Sequence, residues 1–235
     1  MQKNGSISGF VAAVVIGGTL AYASVAGAAG SAPSGGGGGM DMGSIRQSPE
    51  EIAKGAYRDG VRMVKQADKY AEDAAKAPEA KKAKAAEKAQ KQYDKAKQKF
   101  VLAIQQQPKM HEAWNYVGYT SRKLGFYNDA LTAYAEALKL KPGYPEAIEY
   151  RGEAYLGLNQ IEDAKAAYMT LFGNSRPLAD QLMAAMQQWV SERRANAAGV
   201  VSDDIEKFAQ WIAERATIAQ QTASLAVDAP RTTWN

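Results

Sequence analysis

Two consecutive segments of 34 residues, 111–144 and 145–178, carry like residues at like offsets. This periodicity constrains the fold more than any other feature of the chain. A large apolar residue (Trp114, Ile148) is followed four places on by glycine (Gly118, Gly152), then by alanine (Ala130, Ala164) and tyrosine (Tyr134, Tyr168). The first copy closes with Ala137 and Pro142. In the second, Leu171 replaces that alanine, Tyr155 holds a further repeat position, Arg151 stands for an apolar residue, and Pro177 falls one place late. Shifting back by one period places Ala96, Phe100, Ala103 and Pro108 on the second half of the same pattern. Each residue type has a physical reason. Two helices joined at Leu124-Gly125 cross closely where Gly118 meets Ala130, Trp114 and Tyr134 fill the space beside the crossing, and Pro142 cannot continue a helix.

The stretch from Ile52 to Gln107 forms helix readily and is broken only near Pro78. It predicts two lengthened helices, about 50–76 and 79–107, as an enlarged first unit. Gly55 and Gly60 are both candidates for its small crossing residue, and the sequence leaves the choice open. Ser48-Pro49-Glu50-Glu51 signals the helix start, with Ser48 as cap, Pro49 at the first position and Glu51 completing a capping box. Beyond Pro177, Leu178, Leu182, Ala185, Met186, Trp189 and Val190 recur at helical spacing, as do Ile205, Phe208, Trp211 and Ile212, with Ser202-Asp203-Asp204 capping the second helix. End units of a stacked array must cover a bare apolar face, so these helices are expected to cap it, with a dimer or partner surface as the alternative. The abundance of Ala, Lys, Glu and Gln and the lack of alternating β-branched runs predict an all-α fold.

These motifs resemble the tetratricopeptide repeat family, specifically over about 96–178 and more loosely over 50–95. The resemblance implies a right-handed superhelical solenoid of helix–turn–helix repeats. Its domain would run over 48–178, with repeats at 50–108, 111–144 and 145–178, capping helices at 179–220 and a flexible tail at 221–235. It further implies that the first helix of each repeat lines a concave groove through Glu112, Asn115, Tyr119, Arg122 and Lys123, and through Glu146, Glu149 and Glu153. Asn115 would bond a ligand backbone, Arg122 and Lys123 would hold a carboxylate, and the glutamates would face a basic segment. The Lys, Asn, Asn, Lys, Arg set by which some relatives hold chaperone tails is not reproduced, so no such partner is expected.

The amino terminus reads as an export signal over 1–28: Lys3 precedes an apolar run from Phe10 to Leu20, and small residues before Ala28 mark the expected cleavage site, with Ala23 as rival. The run is shorter than a bilayer-spanning helix, and an uncleaved anchor is the competing reading and the only membrane contact expected. Residues 29–47 are Gly/Ser-rich and read as a flexible tether. The expected location is periplasmic or secreted, in a bacterial envelope.

Charge is uneven along the chain. Residues 54–109 hold 15 Lys/Arg against 7 Asp/Glu, whereas 110–235 hold 12 against 15. The basic half suggests a second function, an envelope-associated protein binding an anionic polymer or membrane surface through Lys-rich helices. There is no cysteine, which removes thiol chemistry, disulfides and cysteine-ligated metals, and the single histidine, His111, begins a repeat helix. Glu146, Glu149 and Glu153 share a helix face, where a solvated or peptide-facing edge is expected over a cation site. Gly35 to Gly39 lacks the Gly-Lys-Ser/Thr of a phosphate loop. The chain is therefore expected to be a non-enzymatic adaptor or scaffold that binds a protein or peptide, with no catalytic residue, metal, cofactor or nucleic acid. The sequence is silent on oligomeric state.

Overall fold

The computed structural model describes residues 47–228, with side chains through Thr222. The expected signal, nearly all of the tether, and residues 229–235 of the expected tail lie outside these residues. Eight helices follow one another among them: α1 (Pro49–Lys76), α2 (Glu79–Gln106), α3 (His111–Lys123), α4 (Tyr127–Leu140), α5 (Pro145–Gly157), α6 (Ile161–Asn174), α7 (Arg176–Ala195) and α8 (Ser202–Asp228). No strand occurs among the described residues, and the architecture is an all-α repeat solenoid. Each odd-numbered helix packs on the next in chain order, α1 touches α3, α3 touches α5, and α5 touches α7. The odd helices therefore form a continuous inner row.

Local signals explain the boundaries. The Ser48 hydroxyl accepts from the Glu51 amide at 3.2 Å while the Glu51 carboxylate accepts from the Ser48 amide at 2.7 Å, a complete capping box that starts α1. The α3–α4 turn passes through Gly125 at φ +85°, and one period later Asn159 takes the equivalent place at φ +60°, a conformation that asparagine tolerates better than other residues with a Cβ. α4 ends at Leu140, two residues before Pro142.

The first repeat is lengthened in both helices. α1 and α2 have 28 residues each, whereas α3 and α4 have 13 and 14, which makes this hairpin roughly 20 Å longer than a regular one at ~1.5 Å per residue. The added length is held by small side chains, with Ala67, Ala74 and Ala89 buried, and by Tyr93. The crossing residue of this hairpin is Gly60. A Cβ there would lie 2.7 Å from the Phe100 ring, while a Cβ on Gly55 would meet nothing within 4 Å. We expect Gly55→Ala to stabilise the protein by about 0.5–1 kcal/mol through helix propensity. Gly60→Ala is expected to destabilise it by roughly 1–3 kcal/mol through overpacking, and urea melts of the two variants check both signs.

The 34-residue copies differ where their glycines pack. A Cβ on Gly118 would fall 2.4 Å from the ring of Tyr134, so the nearest neighbour of this glycine is the tyrosine rather than Ala130. At Gly152 the nearest atoms belong to Leu182 of α7, at 2.6 Å, and then to Ala167. Tyr168, the counterpart of Tyr134, packs edge-on to Trp211 of α8 at 5.6 Å and beside Phe172. The reason is the neighbour: α7 supplies a branched side chain to the crossing, and the tyrosine turns toward the terminal helix. Leu182, Met186, Trp189, Ile205, Phe208 and Ile212 thus join Leu171 and Tyr168 in one core that closes the solenoid. α8 continues to Asp228, into the stretch read as a flexible tail from 221, and Arg176 donates to the Ala219 carbonyl at 3.2 Å and to the Thr222 hydroxyl at 3.3 Å along the way.

Candidate functional site

The inner row carries a strip of tyrosines. Tyr57 of α1 and Tyr116 of α3 have ring centroids 5.7 Å apart, Tyr116 and Tyr119 are 6.2 Å apart, and Tyr119 and Tyr150 of α5 are 5.0 Å apart. All four are half-buried. Tyr116 stacks on Phe100 at 4.8 Å, which fixes its ring against the first repeat. Burial raises the phenols of Tyr57 and Tyr150 to about 12, so the strip is uncharged at neutral pH. Rigid half-exposed rings with hydroxyl tips can stack on an apolar or extended backbone and hydrogen-bond it at the same time.

Beside the strip, polar groups from three repeats interlock. The Tyr93 and Tyr119 hydroxyls both donate to Asp68 Oδ1, at 2.6 and 2.7 Å, tying the lengthened hairpin to α3. The Arg122 guanidinium lies between the rings of Tyr119 and Tyr150, 5.3 and 5.4 Å from their centroids, and its Nη1 donates to the Glu153 carboxylate. Arg122 has only 10% of its side chain exposed and Glu153 28%. Glu149, one turn earlier on α5, is 2% exposed with Oε2 unpaired. Burial and then the adjacent Glu153 carboxylate push Glu149 up to about 9. At neutral pH Glu149 therefore keeps its proton, and Glu153 alone balances Arg122.

That retained proton has a consequence for stability. The unfolded chain releases it near the ordinary value of 4.5, the folded chain near 9. Between those limits the folded state binds more protons, so stability falls as pH rises and levels off above about 9. Glu149→Gln is expected to abolish this slope while leaving the fold intact, and thermal melts from about pH 5 to about pH 9 test it.

The structure places the expected groove residues unevenly. Glu146 is exposed on α5, and Glu112 is half-buried with its carboxylate 3.1 Å from His111 Nδ1. Tyr119, Lys123 and Glu153 border the inner row. Asn115 is 2% exposed, with its Oδ1 unpaired, and stands with Glu149 beneath the surface. Arg122 and Glu153, read as presenting opposite charges to a ligand, satisfy each other. Asp68, Tyr57, Tyr93, Tyr116 and Tyr150 escaped the sequence reading. The period held two clues, since Tyr150 follows Tyr116 and Tyr127 follows Tyr93 by 34 residues, whereas Asp68 sits in the lengthened part of α1, beyond the length that α3 reaches.

At the ends of α3, α5 and α7 a cleft of about 320 Å³ opens, lined in part by Arg122, Lys123, Glu153, Trp189, Glu192 and Arg193. The Lys123 stem is exposed, and its ammonium lies over the rings of Tyr93 and Tyr119 at 5.7 and 5.9 Å. Burial of that ammonium and the nearby Arg122 charge lower its pKa. A larger hollow of about 710 Å³ lies beside Gly55 and Leu102, but most of its charges are already matched, as in Asp59 with Arg62 and Lys99.

Among the described residues no group of three His, Asp or Glu side chains is placed to hold a metal ion, and no helix is long and apolar enough to cross a membrane. His111 sits at the first position of α3 with its ring edge-on to Tyr144 at 4.9 Å. The arrangement offers stacking, hydrogen bonding and charge, the means of holding a polypeptide.

Comparison with known proteins agrees with the geometry. Residues 111–144 match the family described as Tetratricopeptide repeat, a span covering α3, α4 and the turns that bound them. No curated protein matches the chain. Tetratricopeptide repeats mediate contacts between proteins. The hairpins of α3–α4 and α5–α6 are in register at 34 residues with a lengthened hairpin before them, and the chain carries a tetratricopeptide repeat at residues 111–144.

Proposed function

We propose that this protein is a non-enzymatic scaffold of the bacterial cell envelope that holds an extended segment of a partner protein along its inner row of helices. The observation that supports this reading best is the tyrosine strip of Tyr57, Tyr116, Tyr119 and Tyr150, which crosses α1, α3 and α5 without interruption. Its rings are fixed by packing, so an extended chain laid across them loses little entropy on the protein side. Glu112 and Glu146 sit at the starts of α3 and α5, and Lys123 and Arg193 at the far ends of α3 and α7, so a bound segment meets acid at one rim and base at the other. Export to the envelope is supported by the signal-like residues 1–28.

Site-specific photo-cross-linking in the native envelope tests the groove. A photoreactive residue at Glu146 is expected to capture a partner, and one at Thr132, exposed on the outer helix α4, is not. Capture from Thr132 with none from Glu146 would move the contact to the outer surface and end the groove reading.

A further inference from the structure

The cleft at the ends of α3, α5 and α7 is lined by three cations, Arg122, Lys123 and Arg193, against two carboxylates, Glu153 and Glu192. Lys123 has no Asp or Glu within ion-pair distance among the described residues, and neither does Arg193. Of the two acids, Glu153 accepts from Arg122, whereas Glu192 accepts only from the neutral Gln188 amide at 2.9 Å and keeps its charge, which leaves the lining one positive charge in excess. Arg122 is nearly buried, and its Nε is unpaired. Cations in the last turn of a helix ordinarily face its free carbonyls. Here Lys123 sits on two aromatic rings, and Arg193 is drawn aside, its Nε donating to Asn159 Oδ1 at 3.1 Å.

Arg193 is also held in plane. Its guanidinium lies 5.2 Å from the Trp189 ring centre, and Trp189 is itself anchored by its indole donating to the Leu156 carbonyl at 2.8 Å. A guanidinium fixed at Nε and on one face leaves its two terminal nitrogens as a ready fork for a carboxylate.

Building on the groove reading above, we propose that this cleft binds neighbouring Asp or Glu side chains of the partner's extended segment, with Lys123 and Arg193 as the contacting cations. α7 lies outside the 34-residue repeats, so the helix that closes the solenoid also determines which sequences it accepts. An incoming carboxylate supplies the direct ion-pair contact that Lys123 lacks, and it does so where the low-dielectric ring faces of Tyr93 and Tyr119 strengthen the attraction.

The test is fluorescence anisotropy of the full chain with a short labelled peptide containing an Asp-Glu run, both ends chemically blocked, beside the same peptide with Lys in place of the acids. The acidic peptide is expected to bind and the basic one to bind at least about tenfold more weakly. Lys123→Glu and Arg193→Glu should each weaken acidic-peptide binding by about tenfold or more, while Arg194→Glu, on the same helix but outside the cleft, should change it less than about twofold. Circular dichroism checks each fold, and Lys123→Gln with Arg193→Gln replaces any variant that fails to fold. Equal binding of both peptides, equal loss in Arg194→Glu, or binding that requires a free carboxyl terminus overturns the assignment. Capture from Glu146 that persists in the Arg193→Glu chain would leave the groove reading standing while the acidic specificity falls.

Discussion

Tyr134→Ala is expected to cost about 3–5 kcal/mol, because its ring is among the largest fully buried side chains of the described residues. The ring edge stands where a Cβ on Gly118 would lie, 2.4 Å away, so the two positions are one packing unit. Gly118→Ala alone should cost roughly 1–3 kcal/mol, the overpacking penalty outweighing the gain of about 1 kcal/mol in helix propensity. In the Tyr134→Ala background the clash is gone, and Gly118→Ala should become neutral or stabilising. A double-mutant cycle by urea denaturation measures this change of sign. Additive costs would mean that the glycine is required for some reason other than the ring.

Arg122→Ala should cost about 2–4 kcal/mol, somewhat below the usual loss on breaking a fully buried pair because Glu153 retains 28% exposure. The loss comes from the acids left behind. Without the guanidinium, Glu153 and the adjacent Glu149 face each other with no counter-charge, and both are driven toward the protonated form. Stability of this variant should therefore drop more steeply with rising pH than that of the normal chain. Replacing the pair together, Arg122→Met with Glu153→Met, should recover most of the loss, since an apolar pair of similar volume carries no desolvation penalty. Thermal melts of the two single variants and the double variant separate the lost attraction from the cost of an orphaned acid.

The ion pair also bears on how the inner row works. Arg122 joins α3 to α5 while its faces lie on Tyr119 and Tyr150, so the pair holds two members of the tyrosine strip at a fixed spacing. Asp68 does the same between the lengthened hairpin and α3 through Tyr93 and Tyr119. The polar layer thus ties each repeat to the next through side chains.

The repeat architecture was legible in the chain itself. Close helix crossings demand small residues at set positions, and Gly118, Ala130, Ala137 and their counterparts recur at 34 residues because each hairpin solves the same packing problem. The start of α1 was equally plain, since a capping box is a contact among four consecutive residues. Local chemistry of this kind is written in local sequence. What only the tertiary structure decided involves residues far apart in the chain and unrelated by the period. Gly60 rather than Gly55 became the crossing residue because Phe100 packs on it, as Tyr134 packs on Gly118, and no 34-residue spacing links Gly60 to Gly118. Gly152 met Leu182 rather than Tyr168 because α7 packs against α5. Arg122 and Glu153 look in sequence like two opposite charges waiting for a ligand, and they neutralise each other because adjacent inner helices lie within a side chain's reach. Sequence spacing places a residue on a helix face, but which face meets which neighbour depends on the rotation of packed helices, and that follows from the fit of all their side chains together.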